Sequence, residues 1–144
     1  MAFTGNFMCT SFKVEILKAV HNFTLSTGNT FNIAMYDNNA SFTAATTAYT
    51  ATDEVTGTAY VAKGNTLVNV TPTSTSTTAF TDFGDSTWSS STITARGAMI
   101  FNDTASGDPS VIILDFGSDK SSSSGDFTIV FPTGDSTSAI IRIA

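Results

Sequence analysis

"STITARGAMIFN", Ser91–Asn102, and "SVIILDF", Ser110–Phe116, decide how this chain folds. In the first, Ile93, Ala95, Gly97, Met99 and Phe101 fall on one face when every second residue is taken. Thr92, Thr94, Arg96, Ala98 and Ile100 fall on the other, which is the period of a strand. The second stretch is an unbroken apolar run, as a strand shows when both of its faces are covered. Between them "NDTASGDP" is made of turn residues. Two strands joined by a turn are therefore expected over 91–116.

The same reading extends in both directions. Downstream, "GSDKSSSSG" (117–125) reads as a turn, and "DFTIVFP" places Phe127, Ile129 and Phe131 at period two on one face. "SAIIRIA" closes the chain. Upstream, "TFNIAMYD", "NTLVNVTP", "TAFTDF" and "STW" read as strands, with Pro72 ending the second. "TSTSTT" (73–78) reads as an exposed low-complexity run, and residues 40–65 as a long loop with short extended pieces. No helical crossovers separate the strands. The fold class expected is all-β: an antiparallel β-sandwich, jelly-roll or immunoglobulin-like, with a short N-terminal helix. Phe80, Trp88, Ile93, Met99, Ile112, Leu114, Phe127, Ile129 and Phe131 are the expected core.

Composition agrees with strands. Of 144 residues 44 are Ser or Thr, and only 12% are charged. Threonine is β-branched and suits a pleated surface. Twelve Phe supply core volume. The net charge of −6, with four Lys and two Arg, leaves no basic stripe for phosphates, so nucleic acid is not an expected partner. A single cysteine, Cys9, excludes an internal disulfide. No segment has the length of apolar sequence that spans a bilayer, and "MAFTGNFMC" does not read as a secretory signal. The chain is expected to be made in the cytoplasm.

The N-terminus differs in pattern. "TSFKVEILKAV" (10–20) carries Phe12, Ile16 and Val20 at four-residue spacing with Leu17 beside them, the stripe of a short helix. Thr10 or Ser11 is its expected cap and Asn22 its stop. Phe3, Phe7 and Met8 precede it with no period. Residues 1–24 are thus expected to be an arm and helix ahead of a β-sandwich domain, 25–144. Phe3, Phe7, Met8 and Phe12 are the candidate interface, because a sandwich that closes its own faces does not obviously claim them; the alternative is that the arm folds back and plugs an open end of the sandwich.

Asp82-Phe83-Gly84 and Asp115-Phe116-Gly117 repeat a tripeptide that protein kinases use to hold magnesium. A kinase also needs a glycine loop, a strand lysine and a catalytic loop, and this sequence has none of them. Each tripeptide instead reads as a strand end followed by a polar turn. Asp82 with Asp85, Asp103 with Asp108, and Asp115 with Asp119 are carboxylate pairs in loops. They lack the calcium-loop pattern and read as turn-capping residues. No catalytic, metal or cofactor residues are assigned. His21 is the only histidine, read as a helix-end residue, and Cys9 as a small apolar packer. Arg96 reads as a surface arginine and Trp88 as core.

"TTAFTDFGDSTWSSSTITARGAMIFND" (77–103), "VIILDFGSDKSSSSGDFTIVFP" (111–132) and the terminal "AIIRIA" resemble a family of small virion structural proteins of tailed bacteriophages. "CTSFKVEILKAVHNF" (9–23) followed by "FNIAMYDNNA" (31–40) is similar to the start of that family. The resemblance implies a non-enzymatic capsid decoration, or cement, protein located in the virion. Its partners would be the major capsid protein and neighbouring copies of itself. A tail or fibre component is the other role implied; as an alternative, such a component would bind a host surface glycan, for which the residues offer Trp88, Tyr49 or Tyr60 as stacking platforms. No catalytic residues come with the resemblance.

Overall fold

The computed structural model describes residues 3–144. It is an antiparallel all-β fold of two sheets with one short helix. The elements are β1 (Phe7–Met8), α1 (Thr10–Leu17), β2 (Phe31–Tyr36), β3 (Asn65–Thr66), β4 (Asn69–Thr75), β5 (Thr78–Phe83), β6 (Ser86–Asn102), β7 (Ser110–Ile129) and β8 (Ile141–Ile143). The larger sheet runs β1-β7-β6-β2-β3 and the smaller β4-β5-β8.

The hairpin expected over 91–116 is the backbone of the molecule, and it is longer than the sequence suggests. β6 and β7 pair from Phe101↔Ser110 to Ser86↔Ile129. "GSDKSSSSG" is therefore not a turn. Ala95, Thr94 and Ile93 lie opposite Lys120, Ser121 and Ser122. Serine tolerates the extended form here because hydroxyls bond across the strands: Thr94 with Ser121 at 2.8 Å, Ser91 with Ser122 at 2.7 Å and Thr87 with Thr128 at 2.9 Å. Surplus residues leave the ladder as a bulge, with Arg96 alone opposing the stretch between Asp115 and Lys120.

β2 lies between β6 and β3, and all six of its residues are buried, not only the alternate ones. Ala98 and Ile100 of β6 are buried for the same reason, since that half of the strand is covered on both faces. Past Ala95 toward Ser86 burial alternates, with Ala95 and Ile93 buried and Thr94 and Thr92 exposed; it shifts phase at exposed Ser89 and Ser90, where the register slips, and resumes with Trp88 buried and Thr87 exposed. All nine expected core residues are buried, and Phe127, Ile129 and Phe131 alternate with exposed Thr128 and Val130. Between the sheets, Phe83 of β5 packs on Phe31 of β2 (5.7 Å between centroids) and on Phe131 (5.7 Å). Each buried Phe contributes roughly 1.5–3 kcal/mol.

Three further expectations are corrected. Pro72 does not end its strand; β4 runs through it with a register shift between Val70 and Thr73. Proline is tolerated because β4 is an edge strand. The helix stops at Leu17, and Ala19 takes a left-handed φ of 56°. Cys9, not Thr10 or Ser11, occupies the N-cap position and makes no side-chain cap bond. The neighbouring strand fixes that start, since the Cys9 N–H bonds the Val111 carbonyl at 3.0 Å.

The arm is not separate from the sandwich. β1 pairs with β7 through Phe7↔Ile113 and Met8↔Ile112. Phe3 is 1% exposed and Phe12 0%, both in the same core as the strands. The boundary drawn at residue 24 thus falls inside one packed unit. Residues 1 and 2 of the expected arm lie outside the described residues.

Candidate functional site

The four candidate interface residues do not form an outward surface. Phe3 and Phe12 are core, and Phe7 and Met8 are half-buried at the sheet edge. Phe3 is claimed because residue 97 is glycine: a β-carbon there would collide with its ring and with the Leu114 carbonyl. Phe12 is claimed by an aromatic cluster with His21 (5.0 Å) and Phe23 (6.1 Å). The apolar residues of the helix that do face outward are Val14 and Leu17, the latter 88% exposed.

His21 is enclosed rather than a free helix-end group; its side chain has no exposure. Asn102 Oδ1 accepts the Thr104 and Ala105 amides at 3.0 and 3.1 Å, which leaves its NH2 for His21 Nδ1 at 3.1 Å. Nδ1 therefore accepts and Nε2 donates to Glu15 at 2.9 Å. Burial pushes the Cys9 thiol up, against a hydrogen bond from Ser110.

Acidic groups elsewhere tie loops to sheets. Glu54, a residue the sequence reading did not single out, takes the hydroxyls of Tyr49 at 2.5 Å and Tyr60 at 2.7 Å and the Lys63 amide at 2.7 Å. The Tyr60 hydroxyl in turn accepts the Met35 amide of β2. This knot folds the 40–64 loop onto the large sheet. Lys63 Nζ bridges Asp103 at 2.7 Å and Asp108 at 2.8 Å, and those bonds raise its pKa. One carboxylate pair expected in a loop is thus spent on an ammonium. Nothing in the local sequence signals either contact, because the partners are brought together from distant loops.

The two repeated tripeptides have different uses. Asp82 is buried at the end of β5, bonding the Phe83 and Ile140 amides at 2.8 and 3.3 Å. Burial raises its pKa against those two bonds, and Asp135 and Asp85 add to the rise. There the chain crosses from the small sheet to the large one. Asp115 lies inside β7. The Gly117 amide (2.8 Å), then the Arg96 guanidinium (3.3 Å) and the Gly5 amide (3.1 Å), hold its carboxyl below the usual range. Arg96 thus pairs with Asp115.

The surface feature with the form of a binding site runs beside β7. A groove of about 710 Å³ is bordered by Leu114 to Phe116 and Lys120 with Ser121 on one stretch, by Asp126 through Pro132 on another, and by Ile140. Phe116, Phe131 and Pro132 give it an apolar floor, and Val130 stands 72% exposed at its rim. Two other cavities, about 320 and 140 Å³, are smaller. From Leu114 onward β7 has no strand on its outer side among the described residues. The bulge, Asp119 and Lys120 guard that edge against strand addition. Of the expected glycan platforms Trp88 is buried, and Tyr49 and Tyr60 are half-buried. Trp88 is 3% exposed and stacks on Tyr60, and Tyr49 stacks on Phe101. Comparison with known protein families, with curated proteins and with solved structures found no match.

Proposed function

We propose that this chain is a non-enzymatic virion structural protein, a decoration protein that binds the outer surface of a phage capsid and reinforces it. The observation that carries the reading is the groove beside β7, with its apolar floor and exposed Val130. A sizeable apolar recess on a rigid sandwich is a docking feature. Rigidity comes from the long hairpin and from loops tied by Glu54, Lys63 and Asp115. The resemblance of 77–103 and 111–132 to small virion proteins points the same way. The partner is the major capsid protein, met at the groove and not through the buried Phe3 and Phe12.

The test is the copy number of the chain in purified virions of the phage that encodes it. A decoration protein is present in excess of any tail component, and Val130→Asp, which charges the groove rim, leaves particles uncoated while the variant stays folded. A chain confined to tail fractions, or a Val130→Asp variant that coats as before, would overturn the reading.

A further inference from the structure

Residues 3–8 meet the rest of the chain through a short set of separable contacts. The Phe3 ring rests on Gly97 and lies edge-on to Phe42 at 5.7 Å. The Gly5 N–H donates to Asp115 Oδ2 at 3.1 Å. The Asp115 N–H donates back to Asn6 Oδ1 at 2.6 Å. Phe7 and Met8 add a pairing of two residues on β7. Thr4 and Asn6 are exposed. Gly5 has a φ of +112° with open space around it, so the segment turns at a residue free to do so.

Beyond Met8 the chain is anchored afresh. Cys9 is fully buried with its N–H on Val111, and the Thr10 N–H bonds the Ala44 carbonyl at 2.8 Å. On the other side, β7 is held along its length by β6, and β6 by β2. The large sheet therefore keeps its ladder when residues 3–8 leave. Apart from the buried Phe3 ring, the segment is held by two residue pairings at a sheet edge and has exposed Thr4 and Asn6, so it opens at lower free energy than the β6–β7 ladder.

We propose that residues 3–8 form a strap that opens and closes as a unit while the sandwich stays folded, with the Asp115 carboxylate as its catch. Asp115 is the catch because one carboxylate joins the strap at Gly5, the bulge at Gly117 and β6 at Arg96. Arg96 is the charged group that faces it. Opening uncovers Ile112 and Ile113 on the outer edge of β7, vacates the space over Gly97 and presents Phe3, Phe7 and Met8 together. The device is a property of the fold and stands whether or not the chain coats a capsid.

Hydrogen exchange of the full chain, followed by mass spectrometry, tests it. Segment 3–8 is read against segment 31–36 of β2. In the wild type, 3–8 exchanges faster than 31–36. Asp115→Asn removes charge-assisted bonds and speeds exchange of 3–8 by about tenfold to a hundredfold, leaving 31–36 unchanged. Asn6→Ala, at an exposed side chain, speeds the same segment by less. Equal exchange of the two segments in the wild type overturns the proposal. So does acceleration of 31–36 together with 3–8 in either variant, or no acceleration in any variant that folds. If Asp115→Asn fails to fold, Asn6→Ala decides alone.

Discussion

The ring of Phe3 occupies the space that a β-carbon on Gly97 would need. A residue near the N-terminus and one in the middle of β6 are thereby fitted to each other across most of the sequence. Gly97→Ala is expected to cost about 1–3 kcal/mol by overpacking. In a Phe3→Ala background the same change costs less, because the Leu114 carbonyl alone still opposes it. Denaturant unfolding of the two single variants and the double variant measures the coupling. Additive costs would show that the ring and the glycine do not meet.

The three tyrosines give an alkaline prediction. Burial first, then the Glu54 carboxylate, pushes Tyr49 up to about 12 and raises Tyr60, while burial and then Glu54 raise Tyr36. An acid raised in the folded state contributes stability that is full below its unfolded value, about 10 for tyrosine, and is lost as pH rises through the folded value. The native chain should therefore show almost no phenolate absorbance at about pH 10. Its stability should fall as the pH climbs from there toward 12. Half-ionised tyrosine in the folded protein at that first pH contradicts the buried knot.

Acid acts through Asp115. Its folded carboxyl is depressed, so its contribution is present above the unfolded value of about 4 and disappears as pH falls below it. Asp115→Asn is expected to be less stable than the wild type at neutral pH and to lose less on acidification. Asp82, raised by burial, works in the opposite direction in both proteins, so the difference between them reports Asp115. Parallel pH profiles for the two would remove Asp115 from the account.

What was legible in the sequence is what period two records. Phe127, Ile129 and Phe131 alternate with exposed neighbours, and the hairpin around 103–109 lies where apolar runs flank turn residues. The serine run was misread because turn propensity is local, whereas cross-strand hydroxyl bonds such as Thr94 to Ser121 need the partner strand in place. The choice between an outward arm and one folded back stayed open in the sequence for a similar reason. Aperiodic Phe3 and helical Phe12 carry no sign of the spaces kept for them by Gly97 and by the cluster around His21. The groove was invisible because Phe116, Val130 and Ile140 lie in separate stretches of sequence and become neighbours only in the fold.

The assembly role is tested most directly by an image of the virion at a resolution that places this fold. The account predicts repeated density of this sandwich over the head shell, with the groove beside β7 and Val130 facing the capsid subunits. Density for the fold at the tail, or on the head with the groove open to solvent, would contradict it.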